Sequence, residues 1–192
     1  MTSKTNLRKD LAARRVVAAK ADPKAGARLA EIFLKEGPEV AEGMVVAGIW
    51  PIRTEIDIRV LMDQLAVAGV HLALPHAPDR EGRLDFRQYD GGRPPAMDAW
   101  GIPSPSKDAS ILLPDLVLVP LLGFDRRGGR LGYGAGLYDR AIARLKAQKR
   151  RVVTVGVGFA DQEVDAVPRE DHDVLLDWVI TEDGVAVRPN SL

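Results

Sequence analysis

Residues 114–144, PDLVLVPLLGFDRRGGRLGYGAGLYDRAIAR, decide the fold class. Leu116-Val117-Leu118-Val119 is a short, continuous apolar run bounded by Pro114 and Pro120, the pattern of a strand buried on both faces of a sheet. A polar, glycine-dense loop follows, holding Gly123, Gly128, Gly129, Gly132, Gly134 and Gly136 with the cations Arg126, Arg127 and Arg130. From about Leu137 the spacing of Leu137, Ala141, Ile142 and Leu145 predicts a helix. A strand, a glycine loop and a helix in that order suit an anion, because glycines let backbone N–H groups approach it and the first helical turn aims unpaired N–H groups at it. The alternating Gly132-x-Gly134-x-Gly136 matches neither the dinucleotide fingerprint nor the Lys-Ser/Thr P-loop. A tight crossover turn would use the same glycines. The three arginines, with Asp139 just inside the helix, add anion donors and one carboxylate for a cation.

Outward from this stretch the chain alternates in the same way. Residues 4–35 read as helical, broken at Asp22-Pro23, with Leu7 and Leu11 four apart and an alanine-rich interior. Lys4 and Arg8 lie at i and i+4 and so project from one helical face, which suits either a phosphate or plain solvent. Met44 to Trp50 (MVVAGIW) reads as a buried strand ending at Pro51. Thr54-Glu55-Ile56-Asp57 then opens a helix carrying Ile56, Val60, Leu61 and Leu65, with Gly69 as its stop. Val70 to Leu74 is the next strand. Strand, helix, strand with short links implies a parallel sheet, and ligands of open α/β sheets bind beyond the carboxyl ends of the strands. Trp50 and Glu55 fall there, although Trp50 also suits a cap on the core and Glu55 a first-turn acid complementing the helix dipole.

Residues 76–110 are irregular, apart from an alternating patch at Leu84–Tyr89 that suits an edge strand or hairpin. Trp100 stands in a Pro/Gly loop, Trp100-Gly101-Ile102-Pro103-Ser104-Pro105, as a candidate for ligand stacking. Arg151 to Val157 and Trp178 to Thr181 read as further strands, the latter able to pair with Val185-Ala186-Val187. The expected fold is therefore three-layer α/β, Rossmann-like, with a mainly parallel open sheet and flanking helices, in one domain over residues 1–192.

Composition narrows the function. Lys and Arg total 27 and Asp and Glu 27, so net charge is zero, which argues against generic nucleic-acid binding. The absence of cysteine removes disulfides, thiolate catalysis and cysteine-ligated metals. No apolar run approaches membrane-spanning length and no signal-peptide core is present, so no membrane partner and a cytoplasmic location are expected. His71 and His76 lack partners at metal-ligand spacing and read as structural, and no Gly-x-Ser-x-Gly occurs. What remains is oxygen chemistry. Asp139 and Asp173 follow the ends of two different strands, and a divalent cation carried by phosphate needs only one or two carboxylates. The residues by themselves lead to an α/β enzyme that binds a phosphorylated ligand with magnesium.

Residues 114–140 also resemble the signature of the 5-formyltetrahydrofolate cyclo-ligases, Phe-Asp-x-x-Gly-x-Arg-Leu-Gly-x-Gly-x-Gly-Tyr-Tyr-Asp. The match falls at Phe124, Asp125, Gly128, Arg130, Leu131, Gly132, Gly134, Gly136, Tyr138 and Asp139. Lys4-x-x-Leu7-Arg8 is similar to that family's amino-terminal ATP-contacting motif, Trp50-Pro51 and Glu55 to its folate-contacting segment, and Trp100-x-Ile102-Pro103-x-Pro105 to its pteridine loop. His172-Asp173 with Asp177, Val179, Ile180, Thr181 and Glu182 is similar to its carboxy-terminal segment. Departures are Leu137 at a usually aromatic position, Ala135 where glycine or lysine is common, and Ser104 where many relatives carry glutamate.

The resemblance implies ATP-dependent cyclisation of 5-formyltetrahydrofolate to 5,10-methenyltetrahydrofolate, with Arg130 and Asp139 as catalytic residues. It implies ATP contacts from Lys4, Arg8, Arg130, Leu131, Gly132, Tyr133, Gly134, Ala135, Gly136 and Tyr138. Folate contacts would come from Trp50, Glu55, Trp100, Tyr133 and Leu137, and Mg2+ would be held by Asp139 and Asp173. The implied partners are small molecules, ATP and a formylated tetrahydrofolate. Another ATP-dependent ligase or kinase on the same scaffold, favoured by Leu137, and a non-catalytic folate-binding protein are the alternatives.

Overall fold

Alternation of side chains along the central strand sets up two cores. In the computed structural model, which describes residues 4–77, 83–91, 94–97, 101–148, 151–170 and 173–189, Leu116 and Leu118 enter one apolar cluster and Val117 and Val119 the other. All four are fully buried, and each such side chain contributes about 1.5–3 kcal/mol relative to exposure.

The elements in chain order are α1 (Lys4–Ala21), α2 (Ala25–Glu36), β1 (Val45–Ala47), α3 (Arg59–Val67), β2 (His71–His76) and β3 (Asp85–Gln88). They continue with β4 (Ala96–Met97), β5 (Pro103–Ser104), β6 (Leu116–Pro120), β7 (Gly123–Phe124) and β8 (Arg130–Leu131). The last are α4 (Leu137–Gln148), β9 (Val153–Val157), β10 (Trp178–Thr181) and β11 (Gly184–Val187). Seven strands form the main sheet in the order β11-β10-β9-β6-β1-β2-β3. The five inner strands run parallel, and β3 and β11 are antiparallel edges on β2 and β10. Residues Leu29 and Phe33 of α2 and Leu61 and Leu65 of α3 cover one face, while Ala141, Ile142 and Leu145 of α4 cover the other. This is the expected three-layer α/β arrangement. Helix α1 ends at Ala21, and the carboxylate of the next residue, Asp22, accepts from the Lys24 N–H at 3.1 Å in place of a helical bond.

The chain leaves β1 towards β2 on one side, and leaves β6 towards β9 and β10 on the other. Neighbouring strands whose connections diverge open a crevice beyond their carboxyl ends, the usual ligand position in open α/β sheets. Here the crevice lies between the segment after β1, with Trp50 and Glu55, and the glycine loop after β6.

Three local expectations need correction. The helix after β1 begins at Arg59, not at Thr54-Asp57. Residues 52–55 close a turn in which the Glu55 N–H meets the Ile52 carbonyl at 3.1 Å and the Ile52 N–H meets Glu55 Oε2 at 2.9 Å. Arg53 takes a left-handed φ of 57° within it. Glu55 is therefore a turn residue, not a first-turn helix acid. The strand expected over Met44–Trp50 is formed only over Val45–Ala47, flanked by bonds from the His71 N–H to the Met44 carbonyl and from the Gly48 N–H to the Ala73 carbonyl. The glycine-dense segment is not all loop, since β7 and β8 pair as a short antiparallel hairpin.

Candidate active site

The corner of the β7–β8 hairpin is built on Asp125, whose carboxylate is almost fully buried. Its Oδ1 accepts from the N–H groups of Arg127 and Gly129, and its Oδ2 from that of Val167, at 2.9–3.0 Å. Burial pushes its pKa up, but these three backbone donors and Arg127 outweigh burial and hold it below the usual carboxylate value. Gly128, at φ 82°, completes the corner, and a Cβ there would lie 2.5 Å from the Leu176 carbonyl oxygen. The signature residues Phe124, Asp125 and Gly128 thus build the hairpin, and the glycines after it shape the cavity.

That cavity has a volume of about 260 Å³ and is lined by Lys4, Arg8, the loop from Arg130 to Asp139, Glu170 and Asp173, among others. Gly134 and Gly136 have φ of 105° and 62°, so the loop turns through conformations that side chains resist. Helix α4 starts immediately after, with Asp139 in its first turn. Every ATP-contact and metal residue expected from the sequence lines this one cavity.

Its charges are cross-paired. Arg130 donates from one guanidinium nitrogen to Asp139 Oδ1 at 2.6 Å and from the other to the Val174 carbonyl at 2.8 Å. Asp139 Oδ1 also accepts from the Val174 N–H at 3.0 Å. Lys4 Nζ lies 2.6 Å from Glu170 Oε1 and 3.6 Å from Asp173 Oδ2. The hydrogen bond to Glu170 raises the Lys4 pKa, partial burial opposes it, and Asp173 adds to the rise. Asp173 Oδ2 also accepts from the Glu170 N–H at 2.7 Å. Arg8 Nε donates to the Gly132 carbonyl at 3.0 Å and so steadies the loop.

Arg126 and Arg127, grouped by sequence with Arg130 as anion donors, do not line the cavity. Arg126 pairs with Glu163 and Arg127 with Asp125, and both side chains are largely exposed. They sit on the turn between β7 and β8.

Next to the loop, the Tyr133 hydroxyl donates to Glu55 Oε1 at 2.5 Å and accepts from Arg15. Although about half of Tyr133 is exposed, its hydroxyl is turned inward. Its pKa is raised, first by burial and then by the Glu55 charge. Tyr138 lines the cavity with its ring tilted against Phe86, and burial followed by Glu55 raises its pKa. Leu137 lines the same cavity and leans on the apolar cluster under α4.

One other sequence candidate lies elsewhere. Trp50 is not a lining residue of the cavity; its ring meets Tyr89 edge-on at 6.1 Å and stacks under Arg59 at 5.4 Å. Trp100 lies outside the described residues, as does His172. His76, read as structural, bonds through Nδ1 to the buried Ser104 hydroxyl at 2.9 Å. Sequence reasoning missed Arg15, Thr54 and Glu170. The available signal for Arg15 was its place eleven residues after Lys4 and seven after Arg8, on the same helical stripe.

Among the described residues no three His, Asp or Glu side chains converge as a metal cage, and no helix is long and apolar enough to cross a membrane. Asp139 and Asp173 offer oxygen donors only, and Asp139 Oδ2 takes none of the hydrogen bonds that hold Oδ1. That donor set fits a hard cation whose remaining ligands come from phosphate and water.

Comparison with known proteins adds a separate line. Residues 1–182 match the model of the 5-formyltetrahydrofolate cyclo-ligase family. The chain is 34% identical over 151 residues to the 5-formyltetrahydrofolate cyclo-ligase of Escherichia coli K12, covering 75% of this chain and 81% of that protein. It is 32% identical over 146 residues to the enzyme of the same name from Mycolicibacterium smegmatis, covering 72% of this chain and 74% of that one. The solution structure of Aquifex aeolicus 5,10-methenyltetrahydrofolate synthetase superposes with a TM-score of 0.79 at 26% identity, covering 98% of this chain and 94% of that one.

Proposed function

This chain belongs to the 5-formyltetrahydrofolate cyclo-ligase family, and from that premise we propose that it converts 5-formyltetrahydrofolate to 5,10-methenyltetrahydrofolate in the cytoplasm, consuming ATP and releasing ADP and phosphate. The observation that carries this reading is the convergence of Lys4, Arg8, Arg130, the Gly132–Gly136 backbone, Asp139 and Asp173 on one cavity, with Glu55 behind Tyr133.

The formyl oxygen on N5 attacks the γ-phosphorus, and the bond to ADP breaks. N10 then attacks the activated formyl carbon, loses its proton, and closes the five-membered ring as phosphate departs with the former formyl oxygen. Phosphorylation matters because an amide oxygen is a poor leaving group until it carries phosphate. Side chains have little covalent work in such a transfer, so the protein supplies position and charge.

Lys4, Arg8 and Arg130 take triphosphate oxygens, and the loop amides cradle them. Asp139 and Asp173 are the residues to hold Mg2+, which when bound would neutralise charge on the triphosphate. A magnesium nucleotide brings both signs, so the pairs Arg130–Asp139 and Lys4–Asp173 can exchange partners without leaving a charge alone. Glu55 accepts hydrogen bonds from the folate, with Tyr133 and Leu137 beside it.

The test is to mix purified protein with 5-formyltetrahydrofolate, ATP and Mg2+ and follow the methenyl chromophore. Its appearance only when all three are present supports the reading. Folate binding without turnover overturns it in favour of a folate-binding protein.

A further inference from the structure

Helix α1 presents Lys4, Arg8, Leu11, Arg15 and Ala18 at steps of four, three, four and three, which is one helical stripe. Lys9, Arg14 and Lys20, off that stripe, are exposed. Arg15 is not: only 4% of it is accessible. A guanidinium is never neutral at ordinary pH, and burying it is unfavourable unless its donors are satisfied and a counter-charge is near. Arg15 Nε donates to Thr54 Oγ1 at 3.2 Å, and one terminal nitrogen donates to the Tyr133 hydroxyl and lies 3.8 Å from Glu55 Oε1. The guanidinium carbon also sits 5.6 Å from the Tyr133 ring centre. Among the described residues it is the cation that pairs with Glu55, whose side chain is 5% exposed.

We propose that Arg15 is the positioning residue of the folate half of the site. It fixes the Glu55 carboxylate and the Tyr133 hydroxyl relative to each other. This rests on the reading above that Glu55 receives the formylated folate. Glu55 is gripped from two sides: Oε2 by the Ile52 N–H, and Oε1 by Tyr133, which Arg15 in turn holds. A carboxylate only accepts hydrogen bonds, so a folate N–H seeking Oε1 competes with the Tyr133 hydroxyl. Arg15 keeps the counter-charge beside Glu55 whichever donor occupies Oε1, and it retains the released hydroxyl. Thr54, from the same turn as Glu55, locks the guanidinium plane through Nε. Lysine has one nitrogen where arginine has a rigid fork, and cannot serve Thr54 and Tyr133 in the same geometry.

The experiment measures 5-formyltetrahydrofolate affinity and, separately, ATP affinity by titration calorimetry. The proteins are the parent chain, Arg15→Met, Glu55→Gln and their double variant, each checked for folding by thermal melt. Arg15→Met is expected to weaken folate binding by about tenfold or more, the loss of a charge-assisted contact network, with ATP affinity changed less than about twofold. Because Arg15 acts through Glu55, the folate effect of Arg15→Met largely disappears in the Glu55→Gln background. Arg15→Lys falls between parent and Arg15→Met. A merely structural role would lower the melting temperature of Arg15→Met, leave the folate affinity of the folded protein near that of the parent, and give no coupling with Glu55. That result overturns the proposal. Should Arg15→Met fail to fold, Arg15→Lys with and without Glu55→Gln carries the same two outcomes. A parent chain that binds ATP but no 5-formyltetrahydrofolate sinks the functional reading and this proposal with it. A parent that binds both, with variants indifferent to Arg15, sinks only the proposal.

Discussion

Lys4, Arg8, Asp139 and Asp173 find their partners at the edge of a cavity, whereas Arg15 and Glu55, on the far side of Tyr133, bury their side chains to about 5% exposure. Both groups are paired, yet the pairs do different things. At the cavity edge a charge can trade its partner for a ligand or for water, so the pairs are temporary holders of ionised groups. Behind Tyr133 a charge that loses its partner stays in a poorly solvated place, and breaking such a pair costs on the order of 3–5 kcal/mol. Substitutions of Lys4 and Arg8 should therefore fall on activity and leave stability nearly alone, while Asp139, whose partner Arg130 has only 5% of its side chain exposed, stands between the two groups. Substitutions behind Tyr133 should fall on both.

The largest expected effect comes from Asp139→Asn. Asparagine keeps an oxygen for the Val174 N–H, but it loses the charge facing Arg130 and the charge for a cation. Turnover should drop by roughly a hundredfold or more, judged by the 10–100-fold losses seen when groups merely supporting a metal ligand are removed. The protein should still melt cooperatively, at a cost of about 1–3 kcal/mol for the weakened bond to Arg130. Near-normal turnover at limiting magnesium would take Asp139 out of the metal site and blur the contrast between the two halves.

Next is the paired change Lys4→Gln with Arg8→Gln. A charge-assisted bond to phosphate is worth about 1.5–3 kcal/mol. Each side chain must first release a partner, Glu170 for Lys4 and the Gly132 carbonyl for Arg8, which places the net loss towards the low end. The KM for ATP should rise at least about tenfold, with folate affinity nearly unchanged. Equal weakening of ATP and folate would mean that α1 serves the whole site as a scaffold, and the division between its two ends would fall.

Asp125→Asn should act on stability with little effect on the chemistry. Its carboxylate accepts three backbone N–H bonds, and an amide nitrogen in place of Oδ2 would leave the Val167 N–H facing a donor, a loss of about 1–3 kcal/mol. The folded pKa is depressed. The stabilisation is therefore fully present above the unfolded value of about 3.9 and disappears as pH falls through the lower folded value. Melting curves of parent and variant should differ most near neutrality and converge in acid. A gap that widens in acid would reverse the sign assigned to Asp125.

Legibility in the sequence followed the range of the interactions. Leu116–Val119 announced a strand buried on both faces because four consecutive apolar residues leave no solvent face, and the two clusters divide them by parity. Arg130, Gly132–Gly136 and Asp139 could be grouped because nine residues of chain tie them together. Arg15 differs from Arg14 and Lys20 in the sequence only by its place on the stripe of Lys4 and Arg8, and its burial is decided by tertiary packing that no local pattern carries. The same limit explains Glu55. Thr54-Glu55-Ile56-Asp57 has the composition of a helix start, but the bonds between Glu55 and Ile52 close a turn there first. Trp50 follows β1 in the chain, yet its ring packs on Tyr89 and Arg59, neighbours that no local pattern announces, and it does not line the cavity. The β7–β8 hairpin was hidden because two-residue strands carry no period.

The smallest effect is expected at Arg126, and it is the sharpest control on the first comparison. Sequence alone ranks Arg126, Arg127 and Arg130 together beside the glycines, so a nucleotide site defined by net local charge would use all three. The structure divides them by direction. Arg130 crosses to Asp139 and Val174 inside the cavity with 5% of its side chain exposed, while Arg126 lies along the surface against Glu163 with 72% exposed. An exposed pair of this kind has little influence on folding, because solvent screens it and both side chains must be ordered to form it. Its charge is also screened from any phosphate beyond a Debye length of about 8 Å at physiological salt. Arg126→Gln should leave the melting temperature, the KM for ATP and turnover indistinguishable from the parent at physiological ionic strength. Arg130→Gln under the same conditions should lose most of its turnover. A rise in the KM for ATP with Arg126→Gln that persists at high salt would show a direct phosphate contact, and would mean that the hairpin turn swings over the cavity when nucleotide binds.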